Sequence, residues 1–102
     1  KTIRENNGVA LSTRNSNLNE NQMMIASKIY YYLYNLKKRI KKNYNLFNPN
    51  RIKKDLRDLG ARKIDYLENY NIENFKKINR QNKKFNIFIA YYIKNTRLID
   101  NI

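Results

Sequence analysis

Apolar residues recur every three or four positions through the middle of this chain. After a polar stretch that ends near residue 18, they recur between residues 25 and 40 at the spacing of a single helix face. Just before them, Asn19 and Gln22 have the spacing of a capping box, in which each side chain bonds the other residue's backbone amide. The pattern therefore predicts a long helix that begins after Asn19.

The apolar pattern is interrupted at residues 46–50, where Asn48 and Pro49 have the order typical of a helix start. A second helix is predicted there, with apolar residues at the inward positions Ile52, Leu56, Leu59, Ile64 and Leu67. Two long helices separated by a short break favour an antiparallel hairpin. Tyr70 and Asn71 are predicted to end the second helix and to begin a short third one, which folds back through Ile72, Phe75 and Ile78.

The segment from residue 83 to residue 102 fits two patterns. Helical spacing is shown by Phe85, Phe88, Ile89, Tyr92 and Ile93, and strand alternation by Ile87, Ile89, Tyr91 and Ile93. We favour a helix, because the preceding segments are helical and no strand partner is evident. The predicted fold class is all-α, a long antiparallel helix hairpin plus a short packed helix, with N- and C-terminal extensions. The predicted units are an extended arm at 1–18, a helical domain at 19–82 and an extension at 83–102.

The charge of the chain predicts an anionic partner. There are 22 Lys or Arg against 8 Asp or Glu, a net charge of +14. Residues 28–63 alone hold twelve Lys or Arg and only two acids, Asp55 and Asp58. On charge alone, nucleic acid and an anionic membrane surface both stay open. The longest nearly apolar run is residues 85–93, far short of the ~20 residues that span a membrane, so no spanning segment is predicted.

The chain contains neither cysteine nor histidine. Disulfides, thiol nucleophiles, the usual zinc ligands and the commonest general base are thereby excluded. The few carboxylates form no recognisable catalytic pair. The sequence therefore predicts a protein that is not an enzyme, with no catalytic residue, metal site or cofactor.

One stretch of the sequence resembles a known family. Residues 60–67, GARKIDYL, are similar to the pattern R-R-R-L-L-x-Y-L that ends the third helix of the bacterial-type small-subunit ribosomal protein 15 family. Residues 71–75, NIENF, resemble the D-x-E-R-Y pattern that opens its fourth helix, and Ile25-Ala26 matches an apolar pair before its long helix. The 19 Asn, with many Lys, Ile and Tyr, indicate an A+T-rich genome, so the chain is identified as a divergent organellar member.

The resemblance implies a structural constituent of the small ribosomal subunit. It would bind the central domain of small-subunit ribosomal RNA at a three-way junction and support assembly. Arg62 and Tyr66 occupy places that face RNA in the family, and the turn at residues 43–51 would lie at the minor groove, although it lacks the family's histidines and acid. The candidate RNA-binding residues are Asn19, Gln22, Lys28, Lys37, Lys41, Lys42, Asn45, Asn48, Asn50, Arg51, Arg62, Lys63 and Tyr66.

Further partners and a location follow from the same resemblance. Neighbouring ribosomal proteins are expected to contact the C-terminal extension, which would present an apolar helical face. The alternative is that this face folds back on the chain's own helix hairpin. The expected location is a mitochondrial ribosome, or that of another organelle or A+T-rich genome. Two other functions stay open, an accessory subunit of an organellar membrane complex and a DNA-binding helical protein.

Overall fold

The structure is a computed structural model, and it describes residues 3–10, 17–71 and 84–102. This part of the protein consists of two helices and a three-stranded sheet. The elements are helix α1 (Glu20–Lys42), a 3₁₀ turn (Tyr44–Leu46), helix α2 (Pro49–Leu59) and strands β1 (Lys63–Asn71), β2 (Phe85–Ile93) and β3 (Thr96–Asn101). The strands are antiparallel, in the order β1-β2-β3. The fold is therefore α/β, and the all-α prediction is wrong.

Both helices begin at their capping residues. Asn19 Oδ1 accepts a hydrogen bond from the Gln22 amide at 2.8 Å, and Gln22 Oε1 accepts one from the Asn19 amide at 3.0 Å. Asn48 Oδ1 accepts from the Arg51 amide at 3.2 Å, and Pro49 is the first residue of α2. These side chains satisfy first-turn amides that have no partner within the helix. The predicted starts of the two helices are confirmed.

Helix α2 runs back along α1. The Tyr32 hydroxyl in α1 donates to Asp55 in α2 at 2.7 Å, and Gly60, just past α2, lies against Ile25 near the start of α1. Gly60 has φ of +128°, a conformation that ends a helix and that glycine adopts at little cost. The second helix therefore ends at Leu59, and its predicted continuation through Ile64 and Leu67 is wrong.

Gly60→Ala should lower the free energy of unfolding by about 1–3 kcal/mol, the usual cost of a strained backbone conformation. The added Cβ would stand 2.8 Å from Ile25 Cδ1, so that side chain must also shift. Urea unfolding measures the loss. Arg57→Ala, on an exposed position of α2, is the control and should change stability by less than about 0.5 kcal/mol. Equal stabilities of the two variants would contradict the left-handed cap.

The sheet is formed by residues that were predicted to be helical. In β2, alternate side chains from Phe85 to Ile93 are buried, and all of them belong to the core that also contains the apolar stripe of α1. Leu67 of β1 pairs with Ile89, and Ala90 of β2 pairs with Ile99 of β3. The helix predicted for residues 83–102 is therefore wrong. Tyr70 and Asn71 belong to β1, and the predicted third helix lies outside the described residues.

Burial in the core explains why the C-terminal segment forms a strand and not a helix. Phe85, Ile87, Ile89, Tyr91 and Ile93 all lie on one face of a strand, whereas a helix would spread them around its circumference. The strand also places Phe88 and Tyr92 on the opposite face, where Phe88 packs edge-on against Tyr70 with ring centroids 5.8 Å apart. The segment thus completes this protein's own core, and it does not present the apolar helical face predicted for a neighbouring protein.

Candidate functional site

A short N-terminal turn, residues 3–10, is fastened to the last strand by one arginine. Arg4 Nη1 and Nη2 donate to the two carboxylate oxygens of Asp100 at 2.7 and 3.0 Å. The same guanidinium donates to the carbonyls of Gly8 at 3.1 Å and Asn101 at 2.9 Å, and it stands 4.4 Å from the centre of the Tyr30 ring. This Arg4–Asp100 clamp joins the turn, α1 and β3 in one place.

The turn itself packs closely on α1. Gly8 has φ of +89°, and a Cβ at that position would clash with the Tyr30 ring, so the close approach requires glycine. The Ser27 hydroxyl donates to the Asn7 carbonyl at 2.5 Å, and Val9 is buried in the core. The position of the turn is therefore fixed by α1 as well as by the clamp.

Burial controls the electrostatics of this region. The pKa of the Asp100 carboxyl is raised, because burial penalises the charged form more than the Arg4 guanidinium stabilises it. Burial also raises the pKa of the Tyr91 hydroxyl, and the charge of Asp100 adds to that rise. The neutral form of each group is therefore favoured more than it would be in water.

A cleft of about 300 Å³ opens beside the clamp, between the N-terminal turn, α1 and the sheet. Its polar side chains include Tyr91 and Asp100. Arg97 also borders the cleft, but its side chain lies with Tyr92 on the outer face of the sheet, where the Nε donates to Asp65 of β1 at 2.8 Å. Tyr30 lines one wall, and Leu98 and Ile99 line another. A cleft of this size, in which a few polar groups converge between apolar walls, has the character of a small-molecule site.

The predicted site residues on the helices and the turn between them are cap residues, lysines of α1, and residues of the 3₁₀ turn and the first turn of α2. Asn19, Gln22 and Asn48 form the helix caps described above. Lys28 and Lys42 are exposed on α1, and Lys37 and Lys41 line a groove beside the Arg4–Asp100 clamp. Asn45 lies in the 3₁₀ turn, and Asn50 and Arg51 lie in the first turn of α2, where Arg51 pairs with Asp55 at 3.3 Å.

The remaining three predicted residues lie at the sheet. Arg62 and Tyr66 do not share a helix face, because Arg62 precedes β1 and Tyr66 is within it, opposite Ala90. The Arg62 Nε donates to the Lys94 carbonyl at 2.7 Å, and Lys63 begins β1. Of the thirteen predicted residues, the structure brings Lys37 and Lys41 together in one groove and distributes the others along the surface. No observation tests their assignment to RNA contact residue by residue, and it stays a prediction.

Neither a metal cluster nor a membrane span is found within residues 3–10, 17–71 and 84–102. Among these residues, His, Cys, Asp and Glu form no group of three or more that could hold a metal ion. None of the described helices has the length and apolarity needed to cross a membrane.

Comparisons with known proteins identify the family. Residues 1–102 match the family model described as Pantoate-beta-alanine ligase. A pantothenate synthetase of Ruthia magnifica subsp. Calyptogena magnifica is 38% identical over 101 residues, which cover 98% of this chain and 36% of that protein. The pantothenate synthetase of Caldicellulosiruptor saccharolyticus is 36% identical over 104 residues, again with 98% and 36% coverage. The chain therefore spans about a third of the length of these relatives.

Solved structures agree with this assignment. The pantoate-beta-alanine ligase from Francisella tularensis, complexed with Beta-gamma ATP and beta-alanine, is 32% identical and has a TM-score of 0.61 over 99% of this chain and 30% of that one. A pantothenate synthetase from Thermus thermophilus, at 24% identity, has a TM-score of 0.78 over 99% of this chain and 37% of its own, and it supports the fold alone. The fold is thus one that these solved ligase structures contain. The chain belongs to the pantoate-beta-alanine ligase family.

The family overturns the functional predictions made from the sequence. Membership of the ribosomal protein 15 family is wrong, as are the structural role in the small ribosomal subunit and the prediction that the protein is not an enzyme. Ribosomal RNA and ribosomal proteins are the wrong partners, and a mitochondrial or other organellar ribosome is the wrong location, because the relatives are bacterial pantothenate synthetases. Neither the membrane-complex nor the DNA-binding alternative is supported.

The physical reasons for these errors are specific. Positive charge indicates an anionic partner, but it does not distinguish RNA from small anions such as carboxylates and nucleotides. A lack of Cys and His excludes certain chemistries in the chain, but not catalysis by positioning and electrostatics. The stretch at residues 60–67 that resembled a helix end spans the junction between the Gly60 cap and β1.

Arg4, Asp100 and Tyr91 are not among the site residues predicted from the sequence. Arg4 and Asp100 are 96 residues apart, and no local pattern connects them. Strand alternation was the available signal for Tyr91, and it was set aside in favour of a helix.

Proposed function

We propose that the protein containing this chain joins pantoate to beta-alanine through an amide bond in an ATP-dependent reaction. The observation that carries the proposal is the match of residues 1–102 to the pantoate-beta-alanine ligase family. The Francisella tularensis relative was solved with Beta-gamma ATP and beta-alanine, which supports a nucleotide as the third reactant. Because this chain spans about a third of such relatives, the activity is proposed for the whole protein.

The chemistry of this reaction explains what a basic domain can contribute. A carboxylate resists attack by an amine in water, and ATP supplies the activation that converts it to a better acyl donor. Pantoate and ATP are anions, and beta-alanine is a zwitterion with one carboxylate. A net charge of +14 attracts such anions, and fixed cations and hydrogen-bond donors orient them and stabilise charge that develops during reaction.

Within the chain, the cleft beside the Arg4–Asp100 clamp is the proposed contribution to the substrate site. It is concave, and Tyr91 and Asp100 supply polar groups along apolar walls. Burial and the Arg4–Asp100 clamp hold these groups in place before a ligand arrives. Pre-orientation of this kind reduces the entropy lost on binding.

The proposal is tested by assaying the natural gene product that contains these residues for pantothenate formation. Product should require pantoate, beta-alanine and ATP together, and omission of any one should abolish it. A folded protein that forms no amide with all three present would overturn the proposal.

The role of the cleft is tested separately with Tyr91→Phe, which removes the hydroxyl and keeps the ring. This change should raise the KM for one of the substrates by about tenfold, equivalent to about 1.4 kcal/mol. Tyr31→Phe removes the same group from an exposed position of α1 and should leave KM unchanged within about twofold. Thermal unfolding checks that both variants fold. Equal KM values for the two variants would remove Tyr91 from the substrate site and leave the ligase proposal intact.

A further inference from the structure

A second concavity, of about 370 Å³, lies on the other side of the Arg4–Asp100 clamp from the cleft. The last turns of α1 form one wall, with Lys37, Lys38 and Lys41, and the beginning of β2 and the end of β3 form the other. Tyr30 and Tyr34 of α1 extend the same wall, with their rings stacked at 5.8 Å. We name this concavity the lysine groove.

The three lysines line the same groove, and two of their ammonium groups have contacts within the chain. The Lys37 Nζ donates to Asn86 Oδ1 at 2.9 Å and stands 5.8 Å from the centre of the Phe85 ring. Lys38 Nζ lies 4.4 Å from the centre of the Tyr34 ring. Lys41 is one turn beyond Lys37, on the same side of the helix. Burial lowers the pKa of Lys37, and the charge of Lys41 lowers it further.

No negative charge in the described part of the chain balances these cations. None of the described residues lining the groove is acidic, and the ion pairs between described residues do not involve Lys37, Lys38 or Lys41. Helix α2, by contrast, has two ion pairs, Arg51–Asp55 at 3.3 Å and Lys54–Asp58 at 2.9 Å. The nearby Asp100 already binds Arg4 through both of its oxygens. Among the described residues, three adjacent lysines, one of them half-buried, therefore face a concave surface without a counter-ion.

We infer that the lysine groove binds a polyphosphate group, two or more linked phosphates carried by an inorganic or an organic molecule. A single carboxylate would leave two of the three ammonium groups unmatched, whereas linked phosphates present several charged oxygens within a few ångströms. Lysine is a point-charge ligand that suits phosphate, and hydrogen bonds between charged groups are about twice as strong as neutral ones. The groove is also within the size range of small-molecule sites.

This binding site is distinct from the proposed substrate cleft, since the Arg4–Asp100 clamp stands between the two and only Tyr30, of the described residues, lines both. The inference does not depend on ligase activity, and its test is a binding measurement. An inorganic probe, tripolyphosphate, separates the phosphate chemistry from any contact with a nucleoside.

Titration calorimetry of the natural gene product with tripolyphosphate, near physiological ionic strength, measures the affinity. Lys37→Gln/Lys41→Gln should weaken binding by about tenfold or more, because two charge-assisted contacts are lost. Lys28→Gln/Lys42→Gln is the matched control, since it removes the same charge from exposed positions of α1 that do not line the groove. The control should keep its affinity within about twofold. Equal losses in the two variants would reduce the effect to overall charge and overturn the inference.

A further variant and further ligands complete the experiment. Lys38→Gln/Lys41→Gln changes two exposed side chains and tests the groove even if the half-buried position does not tolerate glutamine. Tripolyphosphate that binds no more tightly than inorganic phosphate would overturn the polyphosphate assignment. ATP distinguishes an organic from an inorganic ligand. If the groove binds a nucleotide, ATP should bind and should lose affinity in the groove variants. If the groove binds an inorganic polyphosphate, ATP should displace tripolyphosphate only weakly. If a single-stranded oligonucleotide bound more tightly than tripolyphosphate and ATP, the ligand would be nucleic acid, and the inference would be overturned.

Discussion

Replacing Arg4 with methionine should lower the free energy of unfolding by about 3–5 kcal/mol, the usual cost of removing one partner of a buried ion pair. The side chains of Arg4 and Asp100 are 18% and 10% exposed, and their shortest N–O distance is 2.7 Å. Methionine keeps the apolar stem and much of the length, so the change removes mainly the charge and four hydrogen bonds. Urea unfolding followed by circular dichroism measures the loss, which is large for a domain of this size.

The cost of Arg4→Met should be larger near pH 8 than near pH 5. Burial already raises the pKa of Asp100, and loss of the opposing Arg4 charge should raise it further. A carboxyl with a higher pKa in the folded state takes up a proton on folding. Its contribution to stability is therefore greatest below the unfolded pKa, about 3.9, and is lost as the pH rises through the folded value. Acid thus neutralises the unpaired group.

Two further variants isolate the ion pair. Asp100→Asn added to Arg4→Met removes the unpaired charge, so the double variant should be more stable than Arg4→Met alone near pH 8. Arg57→Met is the control for loss of a cation from the surface. A cost below about 1 kcal/mol for Arg4→Met would show that the pair behaves like a solvent-exposed salt bridge.

The helical half of the fold could be predicted because its signals are local. The Asn19–Gln22 capping box, the Asn48-Pro49 start and the apolar stripe of α1 each lie within a few turns of chain, and the structure has all of them. The sheet depends on contacts between distant segments. Leu67 and Ile89 are 22 positions apart and pair only when both strands form, so neither segment carries the whole signal. Gly60 was the one local indication that α2 should stop.

The candidate site was less predictable than the fold. The cleft and the Arg4–Asp100 clamp unite residues from both ends of the chain, and no spacing rule connects such residues. The lysines were visible in the sequence, and Lys37, Lys38 and Lys41 do lie in one groove. What charge could not supply was the identity of the anion, because Coulomb attraction is common to RNA, carboxylates and nucleotides. Family membership supplied that distinction, and it replaced a ribosomal partner with small anionic substrates as the proposal.

In the C-terminal segment, the sequence fits both a helix and a strand, and burial in the structure distinguishes the two. Phe85, Ile89 and Ile93 are inward in both the helical and the strand interpretation, so they do not discriminate between them. The discriminating positions are Ile87 and Phe88. A helix would use Phe88 as part of its apolar face and expose Ile87, whereas the strand buries Ile87 completely and leaves Phe88 partly exposed on the opposite face.

Ile87→Ala should therefore cost about 2–5 kcal/mol of unfolding free energy, the range for truncation of a fully buried aliphatic side chain. Ile87 is 0% exposed and belongs to the core between the sheet and the helices. Phe88→Ala is the matched comparison one position along the strand. It should cost less although it removes a larger side chain, because that ring packs on Tyr70 at the outer face of the sheet and stays partly exposed. Urea unfolding of the two variants gives both costs in one experiment. A larger loss for Phe88→Ala than for Ile87→Ala would reverse the order expected for a strand and would return the segment to the helical pattern.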